Sequence, residues 1–146
     1  MAQVKLWGFK QEIFSEHGVT VDLLTISPGG FSSIHAHKIL HNYFYFLGDM
    51  GDLNIEAYER IGDTNKVGLL DFVCLNSSNR SLSVEPKNLH CFRNTSQVKI
   101  QVIEVTFDPG MKCEDDILRL VLGGQEDAKE TTNSDSSPFG LAEGAG

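Results

Sequence analysis

The densest chemistry in this 146-residue chain lies in its histidines, four of which fall into two groups. His35-Ala36-His37 is followed after three residues by His41, and His90 stands alone about 50 residues later. Residues two apart on a strand share a face, so His35 and His37 are expected to project together. His41 keeps their parity and is expected to join them from the neighbouring strand if the chain turns within residues 38–40. His90 would supply a fourth nitrogen from a distant strand. Neutral imidazoles suit a divalent transition metal: iron, nickel, zinc, cobalt, manganese or copper. Four neutral ligands leave the 2+ charge uncancelled, which favours an anionic or chelating ligand and acidifies bound water. His17 sits in a Glu-His-Gly turn with nothing to gather it to the others, and is read as a solvated loop residue.

Parity nominates further residues. If His41 faces inward, so do Tyr43 and Tyr45, and Phe92 follows His90. Aromatic rings stack a sugar or planar ligand, and a tyrosine hydroxyl shuttles a proton, so Tyr43 is a candidate catalytic residue and Tyr45 and Phe92 candidate substrate contacts. The alternative is that these rings fill a small barrel. Glu104 has the parity of Ile100 and Val102, which makes it a candidate inward carboxylate; burial would raise its pKa and suit it to acid–base work. A solvated edge carboxylate is the other reading. Lys87 is placed at the pocket mouth as a candidate cation for a phosphorylated substrate. Asn94 is expected to tie down a turn and Arg119 to pair with a preceding acid. Cys91, of opposite parity to His90, is expected to be a buried structural thiol.

Short β-rich runs must position these groups. Val19–Ile26, Phe31–His37, Asn42–Leu47, Leu53–Arg60, Val67–Leu75, Leu82–Val84, His90–Arg93 and Val98–Phe107 are separated by turn residues such as Ser27-Pro28-Gly29-Gly30 and Gly48-Asp49-Met50-Gly51-Asp52. Such spacing predicts an all-β barrel or sandwich. Asp115–Leu122 reads as a helix or a last strand. The length suits one domain, 1–124, which buries roughly 68–70% of its unfolded surface. Residues 125–146 form an acidic, Gly/Ser-rich segment expected to be a flexible tail. Their five acids against Lys129 alone account for about half of the net charge of −8. An acidic chain repels polyphosphate, so nucleic acid is not an expected partner. No run approaches the ~20 apolar residues of a membrane span. The N-terminus lacks the apolar region of a secretory signal, and three cysteines without CxxC spacing fit a reducing cytoplasm.

The motif residues resemble a known pattern. Gly29, His35-x-His37, His41 and Gly48 are spaced as in the first cupin motif, with His41 where the family usually has Glu. Pro86-x-x-x-His90-x-x-x-Asn94 resembles the second, with Lys87 or Asn88 where Gly is usual. The resemblance implies a small single-domain cupin, a jelly-roll barrel or double-stranded β-helix. Lys5-Leu6-Trp7-Gly8, Ile103-Glu104-Val105 and Glu114-Asp115-Asp116-Ile117-Leu118-Arg119 look like the flanks of the cupin domain of type II mannose-6-phosphate isomerases. In that family the first stretch carries Gln, His and Glu with an Arg before the Glu; here His35, Leu40 and His41 stand at the Gln, Arg and Glu places.

These readings lead to a metal-dependent enzyme on a small molecule, first a sugar or sugar-phosphate isomerase or epimerase. The alternatives are a metal-dependent dioxygenase or lyase, and a non-catalytic cupin module that uses the metal for ligand holding or stability. Unpaired sheet edges need covering, so a homodimer is expected.

Overall fold

The short runs rich in β-branched and aromatic residues form the strands of the computed structural model, with burial alternating along Val19–Ile26 and His41–Leu47. The structure describes residues 2–108, 117–121 and 123–125. In chain order the strands are β1 (Ala2–Lys5), β2 (Gly8–Glu16), β3 (Val19–Ile26), β4 (Gly30–Phe31), β5 (Ile34–His37), β6 (His41–Leu47) and β7 (Leu53–Arg60). They continue as β8 (Val67–Leu75), β9 (Ser81–Val84), β10 (Leu89–Asn94), β11 (Ile100–Phe107), β12 (Ile117–Val121) and β13 (Gly124–Gln125). The open choice over Asp115–Leu122 resolves to a strand at 117–121. Of the segment expected as a tail, only Gln125 is described, as the end of β13; the rest, like Cys113, lies outside the described residues.

Two antiparallel sheets face each other. The first runs β1-β2-β3-β11-β6-β9. In the second, β10 pairs with β7 on one side and with β5 and β4 on the other; β8 flanks β7, while β12 and β13 flank β5 and β4. Leu24, Ile26, Phe44, Phe46, Ile100 and Val102 of the first sheet meet Leu53, Ile55, Leu75 and Phe92 of the second in one core. The expected all-β jelly roll is the observed architecture.

β1 and β2 are strands that the apolar pattern does not announce. Most of their residues are exposed, so no hydrophobic alternation marks them. They pair as a hairpin against β3, with Trp7 at the bend packed edge-on to Phe92 at 4.9 Å between ring centroids.

One irregularity decides which way the histidines look. Arg93 pairs with Phe31, yet His90 pairs with His35 rather than with Ile34, so one extra residue lies between β4 and β5. Against β12 the register also shifts, but there the extra residue lies on β12, between Arg119 and Val121. A bulge of this kind re-aims the side chains beyond it. Phe31 lies under the Arg93 guanidinium, 4.5 Å from its ring centroid, and Ile34 packs with Tyr58 and Cys91, both on the outer face of the second sheet. The extra residue thus turns His35 and His37 inward, opposite to the face that regular alternation from Phe31 would give them.

Candidate metal centre

His35 and His37, two apart on β5, and His90 on β10 come together at one end of the barrel interior. One ligand nitrogen from each ring lies within 4.8 Å of the others. The ring centroids of His35 and His90, directly paired across the two strands, are 4.5 Å apart; those of His35 and His37 are 5.4 Å apart. Nitrogens at about 2.1 Å from a tetrahedral ion stand about 3.4 Å from one another, so small ring rotations bring this set to a common cation.

Two backbone carbonyls fix the tautomers. His35 Nδ1 donates to Ser33 O at 2.8 Å, and His90 Nδ1 donates to Asn88 O at 2.9 Å. A proton held at Nδ1 leaves the lone pair at Nε2, the arrangement that orients metal-binding imidazoles. His90 Nε2 is buried without a hydrogen-bond partner among the described residues. Burial, reinforced by the neighbouring His37, pushes its pKa down to about 4 against the opposing hydrogen bond to Asn88, so at neutral pH the ring is uncharged. An orphaned, neutral, inward nitrogen beside two more imidazoles fits a late first-row divalent ion.

His41 does not join the three. The inward residues of β6 are Asn42, Phe44 and Phe46, while His41, Tyr43 and Tyr45 lie on the opposite face. The His41 ring stacks on Phe107 at 4.8 Å and its Nδ1 is 4.0 Å from Glu85. The expected parity requires residues 38–40 to keep the strand's alternation, and they do not. The same slip turns Tyr43 and the exposed Tyr45 away from the interior.

Asn42 holds the inward position instead, and sequence reasoning passed over it. Its Nδ2 donates to Thr106 Oγ1 at 2.9 Å and contacts Glu104 Oε2 at 3.4 Å. Its Oδ1 is buried with no partner among the described residues. A buried acceptor left bare suits a bound hydroxyl, water or cation.

Glu104 shares a cavity of about 130 Å3 with His35, His37, Phe92, Lys5 and Lys10. Gly123 closes the same cavity, and a Cβ there would lie 2.6 Å from Ser33 N, so the last strands pack against the turn that holds His35. Burial raises the Glu104 pKa; Lys10 and Lys5 oppose the rise, and Asp22, directly opposite on β3, adds to it. Asp22 is raised by burial too, against the pull of Lys10 at 3.6 Å. The inward carboxylate read from parity is therefore in place, as is Phe92. Lys5 and Lys10 were missed because they sit on the two exposed strands.

Lys87 faces a second cavity, of about 420 Å3, which His90 also lines together with Asp71, Ser83 and Val84. Lys87 adopts φ 72°, left-handed backbone that glycine favours, and its N–H donates to His37 O at 2.6 Å. The loop thus clamps β5 where the motif pattern usually has a glycine nearby. Cys91 is fully buried on the outer face, its thiol 3.3 Å from Glu56 Oε1 and its pKa pushed up by burial, as a structural cysteine should be. Asn94 contacts Ile26 O, Ser27 O and Val98 O through Nδ2 and accepts from Ser96, so it ties down the turn as expected. The side chain of Arg119 lies outside the described residues.

No protein-family model matches the chain, and no curated protein sequence matches it. Solved structures do. The capsular polysaccharide assembling protein CapF from Staphylococcus aureus superposes with TM-score 0.60 at 15% identity, over 82% of this chain and 33% of CapF. Oxalate decarboxylase from Bacillus subtilis gives 0.62 at 12% identity, over 82% and 30%. L-Ribose isomerase from Cellulomonas parahominis gives 0.59 at 17%, over 76% and 68%. The chain therefore spans about a third of the length of the first two. At such identities the likeness is one of fold, and the fold is that of the cupins. Among the described residues no helix is long and apolar enough to cross a membrane.

Proposed function

With the cupin barrel as premise, we propose that this protein is a metal-dependent enzyme that moves protons on a small oxygenated molecule, in the manner of a sugar or sugar-phosphate isomerase or epimerase. The observation that carries the reading is the convergence, in one cavity, of two of the clustered imidazoles with the inward carboxyl of Glu104. His35, His37 and His90 hold the ion. When bound, a divalent transition ion supplies Lewis-acid polarisation of a substrate oxygen.

The remaining work falls to this chain's own groups. Glu104, its pKa raised by burial, exchanges a proton with a carbon or hydroxyl of the substrate. Asn42 and Thr106 position that carboxyl through the hydrogen bonds described above. Phe92, locked by Trp7, presents an apolar wall. A mannose-6-phosphate isomerase-like activity is the finer form of this proposal, and a dimer its quaternary form.

Elemental analysis of the purified protein, paired with assays of aldose–ketose and epimer interconversion of sugars and sugar phosphates, tests it. The expected outcome is about one bound transition ion per chain and turnover that proceeds without oxygen. Oxygen uptake with bound iron would replace the isomerase reading by the dioxygenase one. Failure of every divalent transition ion to bind would overturn both.

A further inference from the structure

Among the described residues β9 pairs with β6 and β8 pairs with β7, but no ladder joins β8 to β9. The two sheets part there, and the cavity of about 420 Å3 lies between them. Directly paired residues share a face of a sheet, which fixes the floor of this slot. One cross-strand row runs His35, His90, Ala57, Asp71, and the next row on the same face runs Phe92, Ile55, Val73. Ala57 is the small member of the first row and stands directly beside His90. Its short side chain leaves room that a larger one would fill. Leu82 and Val84 of β9 line the slot from the first sheet.

Apolar surface is left in water here. Val73 and Leu82 pack against the main core yet are only partly buried. Leu70 is the extra residue of a bulge on β8, between the partners of Ala57 and Tyr58. A bulge aims a side chain where regular pairing would not, and Leu70 lines the slot while 59% exposed. Covering such groups is favourable. Charge around the slot cancels: Glu59 and Asp71 are matched by Arg60 and Lys87, and Glu56 is held by Arg93 at 3.4 Å. No net field draws an ion in. A water molecule occupies about 30 Å3 of liquid, so the slot holds the equivalent of about fourteen waters. Two fused rings fit, and the volume is in the range of organic-ligand pockets.

We infer that this slot binds an uncharged, largely apolar small molecule, so that the substrate of the centre carries a hydrocarbon or aromatic body beside its oxygens. That the ligand is the substrate rests on the metal-centre reading, because the His90 ring is what joins the slot to the imidazole cluster. The pocket itself needs no ion.

The test uses the full chain, once freed of metal by chelation and once reloaded with zinc, with zinc content measured alongside. Calorimetric titration with 2-naphthol, uncharged at pH 7, probes the slot; 2-naphthoate tests the preference for an uncharged ligand, and erythritol the need for an apolar body. The metal-free chain should bind 2-naphthol with a Kd on the order of 100 μM and should not bind erythritol. Ala57→Phe should weaken 2-naphthol by at least about tenfold while the melting temperature holds or rises, since the added ring enters an existing void. Leu70→Ser, at an exposed position that folding tolerates, should weaken it about fivefold, the worth of covering part of one leucine, with zinc content unchanged. That second variant decides the matter if Ala57→Phe does not fold. Affinity unchanged in both variants, or no 2-naphthol binding to a chain that takes up zinc, overturns the pocket and leaves the metal reading standing. Tighter binding of 2-naphthoate than of 2-naphthol overturns the uncharged assignment. A chain that sediments as a dimer and binds no 2-naphthol has its slot covered by a second copy, which also overturns the proposal. A chain that binds 2-naphthol through Ala57 and Leu70 but takes up no zinc sinks the metal reading and leaves the pocket.

Discussion

His90 is the residue on which the site's electrostatics turn. Its ring titrates near 4 in the fold and near 6.5 in the unfolded chain. Between those values the unfolded chain binds the extra proton, so the contribution of His90 to stability is full above pH 6.5 and is lost as the pH falls towards 4. The loss amounts to about 3 kcal/mol. Glu104 and Asp22, both raised, act in the opposite sense: their contribution is greatest below the ordinary carboxylate range and is lost as the pH rises through their folded pKa values. Comparing metal-free wild type with His90→Asn in urea melts from pH 7 to 4 isolates the histidine, and the wild-type advantage should shrink by that amount on acidification. His90→Asn should also cost at least about a hundredfold in ion affinity, since it removes a direct ligand where loss of an outer-shell partner alone costs 10–100-fold. Glu104→Gln should leave ion content unchanged and lower turnover by about 10²–10⁴, the usual worth of a positioned acid or base; unchanged turnover would remove Glu104 from the chemistry.

At the scale of elements, the strands were legible wherever burial alternates, as in β3 and β6, and the convergence of His35, His37 and His90 followed from parity on β5 and from the second motif. Parity failed where it was carried through a link. Nothing in Lys38-Ile39-Leu40 states whether that segment keeps the strand's alternation, and Leu40 turns out to be buried. Asn42 was invisible for the same reason: its neighbour has the more suggestive side chain. The β1–β2 hairpin carries its information in pairing with β3 across the tight His17-Gly18 turn rather than in an apolar alternation. The bulge between β4 and β5 makes the most direct test of these register arguments. Deleting Ser33 should restore regular alternation from Phe31, present Ile34 and Ala36 to the interior and turn the imidazoles out. Circular dichroism should still report β structure while calorimetry reports loss of ion binding. Asn94, with no solvent exposure and its amide spent on Ile26, Ser27 and Val98, marks the other joint of the site; Asn94→Ala should lower stability by about 2–4 kcal/mol, because buried carbonyls lose their donor.

Taken as a whole, the molecule assigns its duties to separate sheets. The three clustered imidazoles belong to the second sheet, on adjacent strands, with 55 residues of chain between His35 and His90. An ion there joins them only in the native state, so at a concentration a hundred times its dissociation constant it should add about 2.7 kcal/mol and raise the melting temperature. Differential scanning calorimetry with and without zinc measures that gain. Lys10, Asp22, Asn42, Glu104 and Thr106 all belong to the first sheet. On the proposed reading, one wall would hold the ion and the opposite wall would carry the groups that meet the substrate. Because no ligand of the ion hangs on the β1–β2 hairpin or on β11, those strands form an interchangeable lining. Their side chains can be substituted for a different charge or acidity without touching the imidazole cradle, so that the two walls are separable by mutation.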